Sequence, residues 1–389
     1  MTADRAAPVR QVRLADNTIG DEEIEAVGDV LRSGWLSAGP RTELFERAFA
    51  GALGTTDAVA VSSGTAALHL AVLELGLRPG DEVIVPTLSF VASAATVALH
   101  GGVPVFADVI SESEPTISPA EVERLLGPRT RAVVVMHYAG YPARTREIIA
   151  IAHRHGATVI EDAAHAPVVD DGGMVGTLGD VGCFSFFATK NMTTGEGGMI
   201  VARDPEALGR MRAMRSHCLS RSTWQREQTG GADYDVAAIG LNYRPTEISS
   251  AIGRIQLGRL AADRRQRRLL TARYHERLGE ISGLGLVFSG HRGDSAHHLL
   301  PVVLPHGVSR HQVRAFLNAS GVQSSVHYQP THLFSYYRER RRTTEQLPVS
   351  EAMADRLLSL PLHARMTTGD VDHVAGTLAE ILARPSGRE

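Results

Sequence analysis

The chain has 389 residues, enough for two domains, and its 43% hydrophobic and 21% charged content is that of an ordinary globular protein. A net charge of −3 excludes a global basic field for nucleic acid, and no apolar run approaches the roughly 20 residues needed to span a bilayer. Two cysteines without CxxC spacing, Cys183 and Cys218, exclude a disulfide scaffold and a Cys-rich metal site, and the start MTADRAAPVRQVRLADN has no signal-peptide core, so a cytoplasmic protein without metal is expected.

Short runs rich in Val and Ile at 58–62, 82–86, 103–108, 131–137, 157–162, 181–187 and 198–202 read as buried strands. Amphipathic segments at 65–77 and 144–155 lie between them. This alternation predicts an α/β fold whose large domain, 1–255, holds a mostly parallel sheet flanked by helices. From Ile248 an apolar periodicity continues through Ile252, Ile255, Leu257, Leu260 and Leu269, which predicts a long connecting helix at the start of a smaller α/β domain, 256–389. Strands are expected there at 299–304 and 323–328, with helices at 310–319, 350–359 and 369–383. The polar, Arg-rich stretch 217–233 reads as a mobile loop over the substrate. Arg338, Arg340, Arg341 and Arg342 could meet a diphosphate or simply form a solvated charge run.

Parallel strands place ligands at their carboxyl ends, so the residues just after each strand matter most. Ser62-Ser63-Gly64-Thr65-Ala66 leaves a strand and opens a helix; its small residues suit a phosphate cradle or an ordinary helix cap. Asp162 ends another strand, placed either to pair with a cationic ring nitrogen or to cap a helix, with His165 three residues on. Then comes SFFATKN. Of 40 basic residues 39 are Arg, and Lys190 is the only Lys. Guanidinium stays protonated and cannot form an imine with an aldehyde, whereas an amine can. A phosphate cradle, an acid at a strand end and a single amine are the three things pyridoxal phosphate requires of a protein.

The segments SSGTAALHLA, GDEVIVPTLSFVASA, VIEDAAHA, FSFFATKNMTTGEGGMIV, LNYRPTEISSAIGRIQL and LSLPLHARMTTGDV together resemble the DegT/DnrJ/EryC1/StrS family of sugar aminotransferases, which have the fold-type I architecture of pyridoxal 5′-phosphate enzymes. The resemblance implies that Lys190 forms the internal aldimine, which argues against the dehydratase branch, where a His stands in its place. It further implies that Asp162 faces the pyridine nitrogen, His165 lies near the ring hydroxyl and Phe90 stacks on the ring. Gly64, Thr65, Ala66 and Ser185 would hold the phosphate, joined by Asn242 from the neighbouring subunit of a homodimer with shared sites. His327 and Tyr328 fall where the C-terminal part reaches the substrate. The implied reaction moves an amino group from glutamate or glutamine to a keto-sugar by ping-pong chemistry. KNMTTGEGGM resembles the branch acting on nucleotide-linked 4-keto-6-deoxyhexoses; a 3-keto-sugar, a keto-cyclitol such as an inosose, or a non-catalytic regulator are the competing readings.

Overall fold

The computed structural model describes residues 10–221, 223–229, 233–340 and 347–384. Seven strands, β1 (Val59–Val61), β2 (Glu82–Pro86), β3 (Val103–Ala107), β4 (Thr130–Met136), β5 (Thr158–Asp162), β6 (Val181–Ser185) and β7 (Gly198–Ala202), form one sheet in the order β1-β7-β6-β5-β4-β2-β3. The pairs from β6 through β5, β4 and β2 to β3 are all parallel, while β7 runs antiparallel to both β1 and β6. Each parallel strand is covered on both faces, which is why runs such as TRAVVVM and EVIVP are almost uniformly apolar. One face packs on Leu68, Leu70, Val72, Val97 and Met211, the other on Val122, Ile148, Ile151 and neighbouring residues.

A second, three-stranded antiparallel sheet, β8 (Gly285–Leu286), β9 (Leu300–Val303) and β10 (Leu357–Leu360), is ordered β10-β9-β8. The helix Glu247–Leu278 runs 32 residues without a break, through the division expected at 255/256. Its early part packs on helices Asp21–Ser33 and Pro40–Leu53, and Leu270, Tyr274 and Leu278 join the core of the smaller sheet. Among the described residues no helix is long and apolar enough to cross a membrane.

Two expectations for the C-terminal part are corrected. Residues 323–328 make only an isolated bridge, Ser325 to Ser359, and the helix expected over 350–359 is instead helix Pro348–Met353 followed by β10. Met353, Leu357, Leu358 and Leu360 are spaced well enough for a continued helix, but pairing with β9 buries every β10 residue, and tertiary packing overrides the local pattern. The loop expected over 217–233 contains helix Thr223–Thr229, with Trp224 edge-on to Trp35 at 4.8 Å; residues 222 and 230–232 lie outside the described residues. Arg341 and Arg342 also lie outside them.

Strand register brings the site's pieces to one edge. Val61 pairs with Gly198 and Gly198 with Ser185, so the turn after β1 and the end of β6 are neighbours across β7. A Cβ on Gly198 would stand 2.5 Å from the Ser63 carbonyl oxygen, so only glycine permits that approach. Beneath the edge, Glu161 is fully buried. It accepts from the Gly176 amide at 2.9 Å, from the Gly179 amide at 2.6 Å and from His137 Nε2 at 3.0 Å. Because His137 Nδ1 accepts from the Ala143 amide, Nε2 is the nitrogen that carries the proton. Burial acts to raise the Glu161 pKa, but the His137 contact and the two amides prevail and hold it below the ordinary value. The end of β5 is thereby fixed next to Asp162.

Candidate active site

At the carboxyl ends of β5 and β6 a cavity of about 400 Å³ is lined by Gly64, Thr65, Phe90, Asp162, His165, Ser185, Lys190, His327 and Tyr328, together with Ser63 and Ala164. Nine sequence positions expected to act together therefore do meet, His327 and Tyr328 among them from the C-terminal part. Ala66 sits just behind, its amide donating 3.0 Å to Ser63 Oγ, which caps the helix Gly64–Glu74. The Gly64 and Thr65 amides open that helix and have no intrahelical acceptor. Both residues line the cavity beside Ser185.

Gly64 is required by distance rather than by dihedral: a Cβ there would lie 2.7 Å from Ser185 Cβ. Gly64→Ala must push the helix start away from Ser185. Anion affinity is expected to fall at least about tenfold, on the scale of one lost charge-assisted hydrogen bond. Titration of phosphate-bearing cofactor into the variant checks this; unchanged affinity would remove the cradle.

Lys190 follows β6 in a turn held at both ends. Its amide donates to the Phe187 carbonyl at 2.9 Å, and Asn191 donates through Nδ2 to the Ala296 carbonyl at 2.5 Å. The TTGEGG segment closes the turn: the Thr194 amide donates to the Phe186 carbonyl and the Phe186 amide to that of Gly197, with Gly195 at φ 79° where a side chain would be strained. The Lys190 residue is partly open to the cavity, but protein surrounds its amine. Burial lowers the pKa from 10.5 to about 8, with Asp162 opposing. About a tenth is thus free amine at pH 7, far more than an unperturbed Lys would give.

Asp162 is buried and receives Ser93 Oγ at 3.1 Å and the Ala164 amide at 3.2 Å. Burial raises its pKa above the ordinary value, against the pull of the Ala164 amide, Lys190 and Ser93. His165 Nε2 meets the Tyr328 hydroxyl at 2.9 Å, and its buried Nδ1 has no partner among the described residues. Burial, and then Lys190 and His327, push its pKa well below 6.5, so the ring is neutral. Phe90 is 52% exposed and stands 5.9 Å from the Tyr328 ring, leaving its own face open to the cavity. His327 Nδ1 meets Ser359 Oγ at 2.9 Å, and burial lowers its pKa to about 4.

Asn242 is not brought into this cluster. It is exposed, and its backbone bridges Ser216 at the wall of a separate cavity of about 650 Å³ between Trp35, Trp224, Arg215 and Arg244. That larger space contains none of the groups around Lys190, and its two acids are already paired, Glu46 with Arg212 and Arg215 and Glu43 with Arg47. Sequence reasoning missed Ser93 and His298. Ser93 holds Asp162, and the His298 ring lies 4.3 Å from that of His165; Ser93 stands within GDEVIVPTLSFVASA, but its role, like that of His298, comes from a contact between distant segments.

A family model described as the DegT/DnrJ/EryC1/StrS aminotransferase family matches residues 17–379. The spore coat polysaccharide biosynthesis protein SpsC of Bacillus subtilis (strain 168) is 38% identical over 371 residues, covering 94% of this chain and 95% of that protein. The crystal structure of the aminotransferase TlmJ from Streptoalloteichus hindustanus superposes with a TM-score of 0.89 at 36% identity, covering 96% and 99% of the two chains. A Streptococcus pneumoniae protein solved in its PLP form gives a TM-score of 0.88 at 25% identity, covering 96% and 100%.

Proposed function

Because the chain belongs to the DegT/DnrJ/EryC1/StrS aminotransferase family, and is therefore a sugar aminotransferase using pyridoxal 5′-phosphate, we propose that its substrate is a nucleotide-linked 4-keto-6-deoxyhexose and its amino donor glutamate or glutamine. The observation that carries the reading is the gathering of Lys190, Asp162, His165 and the Gly64–Ser185 cradle in one cavity at the sheet's carboxyl edge.

The residues fit the cofactor. Asp162 is a buried carboxyl whose bonded partners are one hydroxyl and one amide, and a protonated ring nitrogen would add a directly bonded cation to the nearby charge of Lys190. His165 Nδ1 is an orphaned buried atom at the place expected for the ring hydroxyl. Gly64, Thr65, Ala66 and Ser185 form an anion cradle at a helix N-terminus. Phe90 offers an open aromatic face. When bound, the group provides an aldehyde for amine exchange and a ring that withdraws electrons from the carbon losing its proton. Lys190 Nζ would take up a proton as base and give it back as acid, and its pKa near 8 suits both directions. Asp162 would keep the ring nitrogen protonated, while Tyr328 and His165 fix each other.

Room for a large acceptor supports the nucleotide-sugar reading. A second cavity of about 380 Å³, lined by Ser89, Arg310, Gln329 and Phe334, shares Phe90 and Tyr328 with the first. A keto-acid would fill neither. The exposed Asn242 supports a shared-site homodimer, in which it would complete the partner's phosphate cradle; a fully active monomer in sedimentation would remove this part.

The decisive assay follows glutamate- and glutamine-dependent amination by mass spectrometry across nucleotide-linked 4-keto sugars, 3-keto sugars and free inososes. Amination is expected to be at least about tenfold faster, in kcat/KM, with the 4-keto sugar. Preference for an inosose or a 3-keto sugar would overturn the substrate assignment.

A further inference from the structure

Beside the main cavity, sharing Lys190, His327 and Tyr328 with it, lies a small one of about 70 Å³ also lined by Leu14, His298 and Leu362. It is large enough for a water. The orientation of the His298 ring follows from its neighbours. Asn191 donates through Nδ2 to the Ala296 carbonyl, which fixes Oδ1 as the acceptor facing His298 Nδ1 at 2.8 Å. An amide flip would set two oxygens against each other, so Nδ1 of His298 carries the proton and Nε2 is left with a lone pair. Burial, then His165, Lys190, Arg267 and His327, keep the ring neutral. Nε2 has no partner among the described residues. The residue is held by the bond from its own backbone amide to the Ala139 carbonyl, by the tilted contact of its ring with that of His165, and by Arg267 Nη1 donating to its carbonyl oxygen.

We propose that His298 is a positioning residue for Lys190, accepting through Nε2 a hydrogen bond from the lysine amine across the small cavity they share. Asp162 and His165 do not line the small cavity; of the polar rings that do, His327 bonds through Nδ1 to Ser359 and Tyr328 through its hydroxyl to His165. His298 alone among the surrounding imidazoles has its tautomer set by a side chain adjacent in sequence to Lys190. An acceptor stabilises ammonium more than amine and so opposes the burial that depresses the pKa. It keeps Lys190 able to hold the proton it moves, and aims the free amine between steps.

This inference rests on reading Lys190 as the reacting amine, but its test requires neither cofactor nor sugar. Because the chain has a single Lys, full-length cofactor-free protein labelled with [13Cε]lysine gives one lysine resonance, whose titration reports Lys190 alone. His298→Asn keeps a donor toward Asn191 but places nothing at Nε2, and the midpoint is expected to fall by about one pH unit. His298→Gln carries a carbonyl toward the Nε2 position and should stay near the wild-type midpoint. His298→Leu, which removes both bonds, should fall as Asn does and serves where the Asn variant does not fold. An unchanged or raised midpoint in Asn and Leu, or a Gln midpoint that falls as far as theirs, would overturn the proposal.

Discussion

Lys190→Arg is expected to lower kcat for sugar amination by about 10⁴-fold or more, the scale of removing a general base that is also the covalent attachment point. The substitution is a stringent one in this chain, because Arg serves everywhere else as the basic residue. The guanidinium keeps the positive charge beside Asp162 yet can neither exchange with an aldehyde nor release a proton near pH 8. Lys190 sits in a turn whose backbone bonds do not involve its side chain, so the thermal transition should move little. Steady-state kinetics with a melting curve checks both. Activity within tenfold of wild type would show that the amine is elsewhere.

Asp162→Asn is expected to cost about 10³-fold in kcat, comparable to removing one preorganised electrostatic partner in a water-poor site. Asn keeps the size of the side chain and can still accept from Ser93 or the Ala164 amide, so the local fold should survive. What it cannot do is stabilise a protonated ring nitrogen, and the loss should appear in kcat with cofactor still bound. Cofactor loss with kcat preserved in the remaining loaded fraction would instead make Asp162 a binding residue only. Burial holds the Asp162 pKa above the ordinary carboxylate value, so the cofactor-free protein should bind cofactor progressively less well as falling pH protonates this residue.

The large sheet was legible because its strands are buried on both faces, which writes them as apolar runs such as AVVV in β4 and VIV in β2. The reacting cluster was legible for a different reason: parallel strands send their chemistry to the carboxyl edge, so Asp162 and Ser185 end strands and Lys190 follows one. The C-terminal part was harder. Residues 323–328 look extended and partly apolar, but His327 and Tyr328 turn into the cavity, and only Ser325 pairs. Leu357 to Leu360 fit a helical spacing and become a strand only because β9 is there to pair with. Ser93 and His298 gain their roles from contacts made across 69 and 107 residues, to Asp162 and Asn191, and no local pattern encodes such a contact. Asn242 was singled out by family resemblance, and a single chain leaves it exposed and apart from the cluster.

The central claim is that one amine, Lys190, carries the cofactor. Borohydride reduction of the purified yellow protein, followed by peptide mapping, tests it directly. A reduced pyridoxyl group is expected on the peptide spanning FFATKNM and on no other; label on the α-amino group or another residue, or cofactor released unreduced, would show that Lys190 is not the attachment point.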